Sequence, residues 1–133
     1  MNLKSMQTIF LSIVIVLLIV LASRATAQIM KIAVPTTGYE KNSLISEETG
    51  RAPFFLFFDE KGNFLEAIKN PAKNQSGGIS RMVVSLLSDK NVTMIIAESI
   101  GDKMKQALIA HNINFTNNTG IADDAVKTII KKQ

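Results

Sequence analysis

The sequence contains no cysteine and no tryptophan, and only one histidine, one tyrosine and three prolines among its 133 residues. Without cysteine the chain can form no disulfide, no zinc–thiolate centre and no cysteine-held iron–sulfur cluster. A net charge of +4, evenly spread, lacks the concentrated basic patch that nucleic-acid binding requires. Lys31–Val34, the first strand-like segment, carries no carboxylate. Asp59 and Glu66 are too isolated to build the acidic cluster of a two-metal hydrolase. The composition therefore points away from catalysis and towards binding.

The first apolar feature is IFLSIVIVLLIVLA, residues 9–22. Lys4 precedes it, no acidic residue occurs before Glu40, and Ala25-Thr26-Ala27 follows. A basic start, an apolar stretch and small residues at a cut site are the plan of a secretory signal peptide. A spanning helix needs about 20 apolar residues, so cleavage after Ala27 is the expectation, with a retained anchor as the alternative. Either way residues 1–27 are a targeting segment and 28–133 the folded domain. The domain then lies outside the cytoplasm, periplasmic or extracellular, or is held at a membrane only through an uncleaved N-terminus. Removing Lys4 and Arg24 lowers the net charge from +4 to +2.

Met30–Pro35 reads as a first strand ended by Pro35, which cannot donate to a ladder. Pro53–Asp59 is an aromatic-rich second strand. The turn Glu60-Lys61-Gly62-Asn63 is short enough to make the third strand, Asn63–Lys69, antiparallel to it. The period then changes to 3.6, with Ile79, Met82, Val83, Leu86 and Leu87 on one helical face. Val92–Ala97 suits a central parallel strand covered on both faces. Asp102–His111 is a helix with Met104, Ala107 and Leu108 inward, Ile113–Thr116 a last strand, and Ala122–Lys131 a closing helix. Asp123 and Asp124 in its first turn and Lys131 at its end suit the macrodipole. The order β-β-β-α-β-α-β-α predicts an α/β, ribonuclease-H-like three-layer domain with a mixed five-stranded sheet.

In such a sheet ligands gather beyond the carboxyl ends of the strands, where strand order reverses. Three loops meet on that rim: Thr36-Thr37-Gly38, Ser99-Ile100-Gly101 and Asn117-Asn118-Thr119-Gly120. Two lead into helix N-termini, whose free N–H groups attract anions, and Gly77-Gly78 opens a further helix. An anionic ligand is one reading; the ordinary needs of tight turns are the other. Of the remaining candidates, Arg51 could grip an anion or pair with Glu47 or Glu48. Glu47 and Glu48 read as a solvated loop, with part of a hard-metal site as the alternative, and His111 is placed away from the rim in a structural or exposed role. Met82, Met94 and Met104 are core fillers.

MKIAVPTTG at residues 30–38 and ISEETGRAPFFLFFD at 45–59 resemble the dinitrogenase iron–molybdenum cofactor biosynthesis family. Ser46, Gly50, Arg51, Ala52, Pro53 and Phe55 carry the likeness, followed in order by FLEAIKNPA, GGI, VTMIIAESIGDKMKQAL and TGIADDAV. Glu48 and Thr49 stand where that family often has histidine and phenylalanine. The resemblance implies the same fold and the binding or carriage of an anionic iron–sulfur or iron–molybdenum cofactor, without catalysis. The rim and helix starts offer Thr36, Thr37, Gly38, Gly77, Gly78, Ser99, Gly101, Thr119 and Gly120 to the ligand, and the resemblance adds Ser46, Gly50 and Arg51. An exported relative acting through protein contacts, with no metal cofactor, is the competing expectation.

Overall fold

The computed structural model describes residues 2–25 and 29–133. It opens with helix α1, Leu3–Ala25, whose side chains from Leu3 to Leu21 are almost all exposed. The expected cut site falls on Ala25-Thr26-Ala27, of which Thr26 and Ala27 lie outside the described residues.

The domain follows as β1 Ile32–Thr36, β2 Phe54–Phe58, β3 Phe64–Lys69, α2 Ile79–Asp89, β4 Met94–Ala97, α3 Asp102–Ala110, β5 Asn114–Asn117 and α4 Ala122–Lys131. The sheet runs β3-β2-β1-β4-β5, with β1–β2 and β2–β3 antiparallel and β1–β4 and β4–β5 parallel. This is the expected α/β order, with β1 between the meander and the parallel strands.

Successive strand side chains point to opposite faces, and here both faces are buried. Ala33, Phe55, Phe57 and Ile95 pack with Val83, Val84 and Leu87 of α2 and Met104 and Leu108 of α3. Ile32, Val34, Leu56, Phe58 and Ile96 pack with Ala122, Ala125 and Val126 of α4. That makes three layers and explains why β2 is an unbroken run of large apolar residues. Each fully buried phenylalanine or leucine in it contributes about 1.5–3 kcal/mol.

Pro35 does not end β1. Pairing with β4 stops at Ala33 opposite Ile95, so the missing N–H is not needed there. The Pro35 carbonyl accepts from the Ser46 N–H at 2.9 Å. β4 starts at Met94 rather than Val92 because Asn91 adopts φ 61° and closes α2. The Asn91 N–H donates to the Ser88 carbonyl and the Val92 N–H to the Leu87 carbonyl, a Schellman cap. Asn112, with φ 57°, closes α3 the same way, through Asn112 to Ile109 and Ile113 to Leu108. Each cap joins two apolar residues of one core, Val92 with Leu87 and Ile113 with Leu108.

Candidate functional site

The carboxyl ends of β1, β4 and β5 are tied together by hydrogen bonds from the segment before β2. The Ile45 N–H donates to the Gly120 carbonyl at 2.8 Å, and the Ser46 N–H reaches back to Pro35. The Ser99 hydroxyl donates to the Glu47 carbonyl at 2.9 Å, and the Thr49 hydroxyl returns a bond to the Ser99 carbonyl. On the other side Asn117 Nδ2 donates to the Glu98 carbonyl and the Asn118 N–H to the Ala97 carbonyl. The three rim loops therefore do converge.

They enclose adjoining cavities rather than one chamber. The first, about 460 Å³, is lined by Thr37, Ser46, Arg51 and Gly120, together with Leu44, Ile45, Glu47, Glu48 and Glu98. The second, about 440 Å³, is lined by Glu48, Thr49, Gly50, Ser80, Ser99, Gly101, Asp102, Lys103 and Met104. The third, about 620 Å³, lies between α2 and α3 against Gly78, Ser80, Arg81, Lys103 and His111. Glu48 is common to the first two, and Ser80 and Lys103 to the last two. This row of adjoining cavities, here called the trough, is acidic at one end and basic at the other.

Electrostatics divide the expected ligand residues. Around Thr37, Ser46, Arg51 and Gly120, three carboxylates face one guanidinium, and that guanidinium donates to the Lys73 carbonyl at 3.0 Å. The pairing of Arg51 with Glu47 or Glu48 does not occur; the ion pairs among the described residues are Lys90–Glu66 and Lys127–Asp123. Gly50, Ser99 and Gly101 border the middle stretch, and Gly78 the basic end. Gly78 holds φ 71° at the start of α2, where no side chain caps the helix and no acid occupies its first turn. Gly101 also opens α3 without a side-chain cap, but there Asp102 occupies the first turn. Free N–H groups at such ends attract anions.

Thr36 is not available to a ligand: it is fully buried and its hydroxyl donates to the Gly38 carbonyl at 2.7 Å. A Cβ on Gly38 would meet Ser43 Oγ at 2.7 Å, so the Ser43 hydroxyl would have to turn away to admit one. Gly77 and Thr119 are exposed. His111 is exposed, as expected, but it borders the basic cavity instead of lying apart from it.

Sequence reasoning missed Asn70, Thr49, Ser80 and Lys103. Asn70 was legible only as a strand terminator. It is buried, its Nδ2 donates to the Gly50 and Ala52 carbonyls at 2.8 and 2.9 Å, and its Oδ1 accepts from the Ala72 N–H at 2.9 Å. The Gly50 segment is fixed by it. On the other side of that segment, a Cβ on Gly50 would meet Ile79 Cγ2 at 2.7 Å, so the glycine lets the chain pass against the start of α2. Among the described residues no group of three or more histidine, cysteine or acidic side chains is placed to hold a metal ion.

The model of the family described as dinitrogenase iron-molybdenum cofactor matches residues 29–132. Among solved structures, the apo orange protein from Desulfovibrio gigas superposes with a TM-score of 0.73 at 23% identity, covering 81% of this chain and 92% of that one. A Thermotoga protein solved by NMR, provisionally described as a NifB protein, gives a TM-score of 0.65 at 25% identity, with coverage of 77% and 88%. No curated protein shows a significant match.

Proposed function

The chain belongs to the dinitrogenase iron-molybdenum cofactor family, and from that premise we propose that it is a non-catalytic carrier. Its cargo is an anionic metal cofactor of iron–sulfur or iron–molybdenum type, held as a whole anion rather than through metal–side-chain bonds. The chemistry of the donor set supports this mode. The chain has no cysteine and no described metal-holding cluster, but the trough offers hydrogen-bond donors and cations.

One observation carries the reading: Lys103 lines both the middle and the basic cavity, beside the uncapped starts of α2 and α3. We place the cargo on the basic side of that junction, against Gly78, Ser80, Arg81 and Lys103, since Glu48 and Asp102 line the middle cavity beside Gly50, Ser99 and Gly101. Thr37, Ser46, Arg51 and Gly120 form the outer wall, where Glu47, Glu48 and Glu98 repel negative charge. Helix α1 delivers the domain across a membrane or holds it there.

The test is uptake of a synthetic iron–sulfur or thiomolybdate cluster, followed by its visible absorption band. Wild-type protein retains the band through gel filtration and Lys103→Glu loses it. Folded wild-type protein that retains none rules the carrier reading out.

A second reading, protein contact without cofactor, is favoured by the acidic end. Three carboxylates there form no ion pair among the described residues, beside Leu44, which is 56% exposed. Recovery of a stable partner bound to protein with no absorption band separates it from the first.

A further inference from the structure

We infer that α1 is retained as a membrane span, and that the domain rests the pole holding the strand starts on the lipid headgroups, so that the rim at the strand tips opens away from the membrane. This rests on the membrane-held alternative for α1 given above and adds an orientation to it.

The apolar run of residues 9–22 is shorter than a bilayer, but the helix is not. Leu3–Leu21, 19 residues, is long and apolar enough to cross a membrane, and none of it is buried in the protein. At 1.5 Å per residue it extends about 28 Å, close to the roughly 30 Å hydrocarbon core. Two of its polar side chains are satisfied within the helix. The Thr8 hydroxyl donates to the Lys4 carbonyl and the Ser12 hydroxyl to the Thr8 carbonyl, each at 2.9 Å. Lipid offers no partners, so internal satisfaction is what a spanning segment needs.

Orientation follows from topology. Only residues 26–31 separate α1 from β1, a tether of at most about 25 Å. It enters at the start of β1, the pole where β4 and β5 also begin and where α2, α3 and α4 end. Gln133 Nε2 lies 3.5 Å from Met30 Sδ, so the end of α4 sits beside the tether. Lys31, Lys61, Lys131 and Lys132 belong to this pole. Of its carboxylates, Asp59 is folded into its own turn by the Lys61 and Asn63 N–H groups and Asn63 Nδ2, and Glu66 is paired with Lys90. Glu60 and Asp89 remain. Lysines near a bilayer surface are attracted to anionic headgroups. The acidic and middle cavities lie at the opposite ends of the strands, about 15–20 Å away along β1, while the basic cavity runs from the start of α2 along α3 to His111.

A chain without cysteine allows clean single labels. The full chain is placed in vesicles containing phosphatidylglycerol and spin-labelled headgroups, with fluorophores on Lys132→Cys or Glu60→Cys at one pole and Lys41→Cys or Lys73→Cys at the other. Headgroup quenching about threefold stronger at positions 132 and 60 is expected, with circular dichroism confirming the fold. Equal quenching at both poles overturns the orientation. Intact mass of protein from its own host reports the N-terminus: a chain starting at Met1 supports the span. One starting at Gln28 overturns the inference and leaves the carrier reading, tested by cargo uptake, untouched.

Discussion

The two ends of the trough are built from the same parts and carry opposite charge. Both use strand-to-helix turns rich in glycine and hydroxyl residues. At one end the lining adds Glu47, Glu48 and Glu98; at the other it adds Arg81, Lys103 and His111. Turn residues therefore set the shape of such a rim without setting its ligand. The sign comes from the residues around the turn, as with Glu98 directly before Ser99 and Arg81 within the first turn of α2.

The most damaging way to break this comparison is to remove what holds the two ends together. Asn70→Ala leaves the Gly50 and Ala52 carbonyls and the Ala72 N–H without their side-chain partner. It should lower stability by about 2–4 kcal/mol, read from the urea midpoint, since each buried group left unpaired costs about 1–3 kcal/mol. Gly50→Ala forces a methyl against Ile79. The expected loss is about 1–3 kcal/mol, with the starts of α2 and β2 displaced together. An unchanged midpoint for either variant would mean the wall between the cavities is looser than its contacts imply.

The next substitutions sharpen the difference in charge. Lys103→Glu should weaken cluster uptake by about tenfold or more, the loss expected when one charge-assisted contact of about 1.4 kcal/mol or more becomes repulsion. Glu98→Gln should leave uptake unchanged or slightly stronger, as measured by titration of the absorption band. Equal losses from both would erase the distinction between the ends.

The smallest effect serves as a control far from the trough. Backbone donation from Asn63, then its side chain and the Lys61 N–H, hold the Asp59 carboxyl below its ordinary value. Its stabilising contribution is therefore complete above the ordinary carboxylate range and is lost as pH falls through the lower folded-state value. Asp59→Asn should flatten the acid limb of a melting-temperature profile slightly, with cluster uptake intact.

How much was legible in the sequence depended on the range of the interactions. Element order, the antiparallel β2–β3 hairpin, the central position of β1 and the limits of α4 follow from periodicity and turn residues, which act over a few positions. So does the unbroken β2 run that requires two covered faces. Strand ends were less legible: Asn91 ends α2 through a left-handed cap that delays β4, and Pro35 is tolerated because its neighbour strand stops short. The rim was legible as a meeting of three loops, since their convergence follows from strand order.

By itself the sequence determined the three-layer fold, the family and the rim, because apolar period and local turn chemistry are written in neighbouring residues. Only the tertiary structure decided that Thr36 is sealed and that Asn70 holds Gly50. It also decided that three glutamates line one end of the trough while Lys103 joins the other two cavities. Those facts depend on which side chains distant in sequence are brought within a few ångströms, and on which donors they leave free. Both are set by packing rather than by spacing along the chain.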